Sequence, residues 1–344
     1  MQVLVTGGNG FLGSHIILQL ANKGFDVRTT LRNRDAEQNL RAALLRSGLS
    51  ADRLDAIQWV EADLCNDAGW DAAVQGCDYV LHVASPFPPV PPKDAQRLIG
   101  PAVQGTERVL RAARQAGVRR VVLTSSMAAV SYGHQPTDRL FDEKDWTDLS
   151  GRGANAYTRS KTMAERAAWD FVIREGGGLE LAVINPDGIF GPLMLANSAS
   201  TLTVKLMLDG KIPAHPRLWI GVVDVRDVAD LHLRAMAHPN AAGKRFIAVS
   251  GEPMRLAEIA SMLNDREPAR VAAVSTKEVP DWILRCMAPF NRSLRQIVPE
   301  LGKVKRASSA EARTLLDWQP RDAREAIFAT ADSLEQLGLL QERR

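Results

Sequence analysis

The stretch Met1–Leu20, MQVLVTGGNGFLGSHIILQL, constrains this chain more than any other. Gln2–Thr6 carries the β-branched pair Val3 and Val5 and reads as a strand, and Gly7-Gly8-Asn9-Gly10 reads as a tight turn. From Phe11 onward apolar residues recur at Phe11, Leu12, Ile16, Ile17 and Leu20, the spacing of one helical face. Such a turn aims unpaired backbone N–H groups and the positive end of a helix at the space above a buried strand. That arrangement suits a pyrophosphate. Gly8, Gly10 and Gly13 match G-x-G-x-x-G literally, and a second set, Gly7, Gly10 and Gly13, follows Thr6. Glycine is needed where the chain turns tightly, where phosphate approaches the backbone and where helix packs on strand.

Strands and helices then alternate. Phe25–Leu31 reads as strand two, Asp35–Ser47 as a helix, Ile57–Glu61 as strand three and Asp78–Val83 as strand four. Lys93–Gly117 reads as a long helix, Arg119–Thr124 as strand five, Ala154–Glu175 as a helix and Leu179–Asn185 as strand six. This order predicts a parallel sheet covered on both faces, with right-handed crossovers bringing every strand's C-terminal end to one rim. The fold class is therefore α/β, a Rossmann-type doubly wound parallel sheet, with a smaller, mostly helical C-terminal substrate lobe. Residues 1–187 and 222–250 are assigned to the dinucleotide-binding part, and 188–221 and 251–344 to the lobe.

Composition narrows the partners. Lys+Arg 43 against Asp+Glu 40 leaves a net charge of +3, too little to favour nucleic acid or a membrane surface. No run of apolar residues is long enough to span a bilayer. The first strand begins at the N-terminus with no signal-peptide pattern ahead of it. Three cysteines (Cys65, Cys77, Cys286) form neither a metal spacing nor an even disulfide set, and the six histidines are scattered. The expectation is a cytoplasmic, metal-free protein, monomer or homodimer, acting on a small molecule.

Tyr157 and Lys161 stand four apart on the helix Ala154–Glu175, hence on one face. An ammonium near a phenol favours phenolate, and such a tyrosine can give a proton to a carbonyl oxygen as hydride arrives. Thr124-Ser125-Ser126 ends strand five on the cofactor rim, where a hydroxyl can meet the same carbonyl.

Together Thr6-Gly7-x-x-Gly10-x-x-Gly13, Asp63-Leu64, His82-Val83-Ala84-Ser85-Pro86, Thr124-Ser125-Ser126 and Tyr157-x-x-x-Lys161 resemble the extended short-chain dehydrogenase/reductases. Within them the chain is most similar to the dihydroflavonol-4-reductase-like group of aldehyde and ketone reductases, with Asn185-Pro186 and Gly191-Pro192 adding to the likeness. The resemblance runs from Gln2 to about Ala237. It implies Tyr157 as general acid/base, Lys161 as its partner and a ligand of the nicotinamide ribose, and Ser126 as the catalytic serine. It implies cofactor contacts at Gly7, Gly10, Phe11, Leu12, Gly13, Asp63, Leu64, Val83, Ala84, Ser85, Thr124 and Pro186. Two positions depart from the pattern. Ala102 stands where many members have Asn, and Ser131 where flavonoid reductases have an Asn that grips substrate hydroxyls.

The end of strand two bears on the cofactor, since NAD sites favour a carboxylate there and NADP sites an arginine. The chain reads Arg28-Thr29-Thr30-Leu31-Arg32-Asn33, with no acid before Asp35. NADP(H) is therefore favoured over NAD(H), with Arg32 on the 2′-phosphate and Arg28 as a second candidate. Phe87, Met127, Tyr132, Ile189, Met194 and Met207 are candidates for the substrate wall, with Ser126 and Tyr157 at its base. The function expected is NADPH-dependent reduction of an aldehyde or ketone. A 3β-hydroxysteroid-type dehydrogenase, a nucleotide-sugar epimerase or dehydratase, and a non-catalytic dinucleotide sensor are the alternatives. Arg32 and Met127-Ala128-Ala129 speak against the epimerase and dehydratase, and the intact Tyr-Lys pair against the sensor.

Overall fold

Short runs rich in Val, Leu and Ile make the interior of a parallel sheet. The computed structural model describes residues 1–86, 94–195, 198–266 and 274–341. Its main sheet holds β1 (Gln2–Thr6), β2 (Asp26–Leu31), β3 (Gln58–Glu61), β4 (Tyr79–His82), β5 (Arg120–Thr124), β6 (Glu180–Pro186) and β10 (Lys244–Ala248). The strand order is β3-β2-β1-β4-β5-β6-β10, with every neighbouring pair parallel. Every residue of β4 is buried, as expected of a strand covered on both faces. The order reverses direction between β1 and β4, and the crevice at such a switch point is where doubly wound sheets take their ligands.

Helices α1 (Phe11–Asn22), α2 (Asp35–Arg46), α3 (Ala51–Asp55), α4 (Trp70–Val74), α5 (Gln96–Gln115) and α6 (Ala156–Glu175) follow the strands in turn. Beyond β6 come β7 (Gly188–Phe190), α7 (Ala199–Leu208), β8 (Trp219–Ile220), β9 (Val222–Asp224) and α8 (Val225–Ala237). After β10 the chain adds β11 (Met254–Arg255), α9 (Leu256–Arg266) and a series of helices ending with Ala323–Gln336. Two cores result. On one face Ile16 and Ile17 of α1 and Val228 and Leu231 of α8 pack on Val3 and Val5, and on the other α5 and α6 residues such as Val109 and Phe171 pack on Leu4 and Val121. Trp318, Ala326, Ile327 and Leu334, from the C-terminal region, lie in the first of these cores.

The strand ends deliver Thr6, Leu31, Glu61, His82, Thr124 and Pro186 to one rim. The element boundaries lie within a few residues of those expected, whereas α3 and α4 were not foreseen. Each is five residues long, too short to show a helical period.

Candidate active site

The turn after β1 is a closely packed cradle. Gly7 sits at φ +70, and an added Cβ on Gly13 would lie 2.4 Å from the Gly7 carbonyl oxygen, so α1 can approach the turn only without a side chain there. Gly10 is the N-cap of α1 and supplies no side-chain cap, which leaves the first-turn N–H groups free for an anion. The Thr6 hydroxyl ties this turn to β4. It accepts from the N–H groups of Val83 and Ala84 (3.0 Å each) and, with both lone pairs engaged, donates to Nδ1 of the buried His82 at 2.8 Å. His82 is thereby a neutral acceptor, and burial together with the nearby Lys161 charge pushes its pKa down to about 3. Thr6 thus places Gly7, Val83 and Ala84 on the same edge of the crevice.

Arg32 is exposed just past the end of β2 and pairs with no carboxylate among the described residues. Arg28 does not serve as the second phosphate candidate. Its guanidinium donates to the carbonyls of Ala72, Ala73 and Gln75 at 2.7–3.2 Å and to Gln58, so it closes the C-terminal end of α4 instead. Asp63 and Leu64 stand on the loop after β3. Trp70 donates its indole N–H to the Asp63 carbonyl, and Arg108 donates to that of Leu64.

The three residues ending β5 take different directions. Thr124 Oγ1 lies 2.7 Å from Nε2 of His232, whose Nδ1 donates to the Val228 carbonyl, so the Thr124 hydroxyl is the donor of that pair. What Thr124 offers a cofactor is its backbone and methyl group. Ser125 donates to the carboxylate of Glu165 at 2.5 Å. Of the three, it is Ser126 that hydrogen-bonds the Tyr157 phenol. Asn155 caps α6 by accepting from Thr158 N–H at 3.0 Å, which starts the helix where Tyr157 falls in its first turn. Burial raises the Tyr157 pKa to about 12, against the lowering effect of the Ser126 hydrogen bond. The phenol is therefore protonated, the form that donates.

Burial lowers the Lys161 pKa to about 8, opposed by the negative charge of Glu165 one turn further on. Glu165 is wholly buried and receives Arg245 Nε at 2.6 Å and Asn185 Nδ2 at 2.8 Å as well as Ser125. Lys161, Glu165, Thr124, Ser125, Ala102, Leu64, Ala84 and Ser85 line one small pocket beside the crevice. Ala102 thus lines the same pocket as Lys161.

Of the residues expected to wall the substrate, Tyr132 is partly exposed, with the Lys305 ammonium 3.5 Å from its ring centre. Met127 is not a wall residue. It is 1% exposed and packs with Val130, Phe141, Ile247 and Val249, because the 3-10 turn Met127–Ala129 directs it inward. Met194 and Met207 are likewise buried, Met207 within the main core. Ser131 is buried and donates to the Met127 carbonyl at 3.3 Å, so it cannot grip a substrate. Phe87 lies outside the described residues. Sequence reasoning missed Glu165, although it continues the four-residue spacing of Tyr157 and Lys161, and it missed Asp187, which directly follows Asn185-Pro186.

The NAD dependent epimerase/dehydratase family matches residues 3–249. Tetraketide alpha-pyrone reductase 2 of Arabidopsis thaliana is 35% identical over 276 residues, covering 78% of this chain and 83% of that protein. Cinnamoyl-CoA reductase 1 of Arabidopsis thaliana is 35% identical over 252 residues, covering 72% of this chain and 70% of that protein. Among solved structures, yeast methylglyoxal/isovaleraldehyde reductase Gre2 complexed with NADPH superposes with a TM-score of 0.79 at 26% identity, covering 98% of this chain and 99% of that one. The glycine cradle, the Ser126–Tyr157 contact and these matches place the chain in the NAD dependent epimerase/dehydratase family, the extended short-chain dehydrogenase/reductases, within their reductase branch.

Proposed function

We propose that this chain is an NADPH-dependent oxidoreductase that reduces an aldehyde or ketone to the alcohol. The observation that carries the reading is the Ser126 hydrogen bond to the Tyr157 phenol, one turn before Lys161, which lines a pocket with Ala84 and Thr124. A nicotinamide cofactor, when bound, would supply the hydride for the carbonyl carbon. Ser126 donates a hydrogen bond to the carbonyl oxygen and holds it against Tyr157, and Tyr157 Oη gives its proton to that oxygen as negative charge develops there. Lys161 then faces a phenolate, which its ammonium stabilises until the proton is restored from water. The free N–H groups of the turn before α1 hold the pyrophosphate, and Arg32 pairs with the 2′-phosphate.

NADPH is the expected cofactor because Arg32 directly follows β2 with no acid before Asp35, and because yeast Gre2 was solved with NADPH. The same pattern weighs against sugar-nucleotide epimerisation. A cytoplasmic monomer or homodimer completes the proposal. The three cysteines, Cys65, Cys77 and Cys286, remain free thiols, which suits a reducing compartment. No helix among the described residues is long and apolar enough to cross a membrane.

The test is to mix purified protein with NADPH or NADH and a panel of aldehydes and ketones while following absorbance of the reduced nicotinamide. Turnover with NADPH that falls about 10²–10⁴-fold in Tyr157→Phe is expected. Cofactor binding without turnover of any carbonyl would overturn the reading.

A further inference from the structure

The last residues of β6 point alternately to the two faces of the sheet, as in any strand. Asn185 shows which face is which, because its amide donates to Glu165 on α6 and to the Ser126 carbonyl. Asp187, two residues on, therefore emerges on the Ser126 and Tyr157 side, with Pro186 turned to the opposite face. The Asp187 charge acts on both phenols of the site, Tyr157 and Tyr132. Its seat is built for it. An added Cβ on Gly221 would lie 2.4 Å from Asp187 Oδ2, so the carboxylate is seated against backbone that carries no side chain there. Lys305, which stacks on Tyr132, faces the same carboxylate.

We propose that Asp187 is a specificity-determining residue that accepts a hydrogen bond from a hydroxyl next to the reacting carbonyl, so that the enzyme prefers hydroxy-aldehydes and hydroxy-ketones. The assignment rests on the reductase reading and names its substrate class. The charges around the site select among ligands. An anionic group near the carbonyl would meet the Asp187 carboxylate. Lys305 is ion-paired with Glu300, so the Asp187 carboxylate keeps its capacity to accept from a donor. A neutral hydroxyl donor meets no such obstacle, and a carboxylate packed this closely on Gly221 cannot turn away to suit a wholly apolar group. Burial raises the Asp187 pKa to about 6, so above that pH the ionised acceptor prevails. A buried acceptor left without its donor penalises the analogue that lacks the hydroxyl.

The experiment compares kcat/KM with NADPH for matched pairs: hydroxyacetone against acetone, and 2-hydroxyacetophenone against acetophenone. The wild-type protein is expected to favour the hydroxylated member by about tenfold or more. In Asp187→Val that ratio should collapse toward one, and in Asp187→Asn, which keeps an acceptor oxygen, it should fall only partly. Titration of each variant with NADPH confirms that the fold persists. Equal kcat/KM for both members in the wild type, or a Val variant that loses activity on both in proportion, would overturn the assignment and leave the reductase reading intact. Failure of the wild type to reduce any carbonyl would sink the reductase reading, and this one with it.

Discussion

At the residue scale the site depends on which side chains keep a proton. Burial holds Tyr157 as a neutral phenol and pulls the Lys161 ammonium down to about 8, near the working range. A base with a lowered pKa loses its charge as pH rises through that value. Below pH 8 Lys161 is a cation able to hold the ribose and the phenolate, and above it the cation disappears. The kcat/KM for NADPH reports ionisation in the free enzyme. It should therefore fall about tenfold per pH unit above pH 8, with Lys161 as the group responsible. Lys161→Arg is expected to be slower throughout but to lose this descending limb, since guanidinium stays charged. A limb at the same pH in both proteins would assign it elsewhere.

At the element scale α6 is the organising helix. Tyr157, Lys161 and Glu165 occupy successive turns of one face, and the last of these ties the helix to the sheet. Glu165 gathers β5 through Ser125, β6 through Asn185 and β10 through Arg245. Arg245 also donates to the carbonyls of Glu143 and Asp145 and lies 4.0 Å from the Trp146 ring centre. Glu165→Ala leaves a buried guanidinium without its counter-charge, a loss expected to cost about 3–5 kcal/mol. Combining Glu165→Leu with Arg245→Met should recover much of it, because the pair is then replaced by apolar volume. Urea denaturation of the two single variants and the double variant measures the coupling. Simple additivity would show that the pair is not a unit. The helix itself was legible in the sequence, as was its Tyr-Lys face, because four-residue spacing depends on nothing beyond the helix. Which partner a side chain meets across the sheet was not legible. Arg28 turned to α4 carbonyls, Met127 turned into a core, and Asp187 found its seat through Gly221 and Lys305, far along the chain. Such directions are set by packing among distant segments, and local pattern carries no trace of them.

At the scale of the whole molecule the C-terminal helix Ala323–Gln336 reaches back toward the dinucleotide turn. Thr330 Oγ1 accepts from Gly191 N–H at 2.7 Å, and Ser333 Oγ accepts from Leu193 N–H at 2.9 Å. Between those two residues the Pro192 carbonyl accepts from Nε2 of His15, on α1, at 2.8 Å. His15 is held neutral by burial, with its pKa lowered to about 4, so this tie persists across the working range. The chain's last helix thus holds the segment that in turn holds the helix behind the glycine cradle. Thr330 is fully buried. Thr330→Val keeps its volume but leaves the Gly191 N–H buried without an acceptor, so a loss of about 1–3 kcal/mol in unfolding free energy is expected. No atom of Thr330 is placed in the crevice, so kcat/KM should stay within about twofold of wild type, less than the tenfold that about 1.4 kcal/mol would bring if the change reached the transition state. Urea midpoints and steady-state rates measured on the same preparation decide the matter. A variant of unchanged stability and reduced turnover would mean that this helix acts on the chemistry directly.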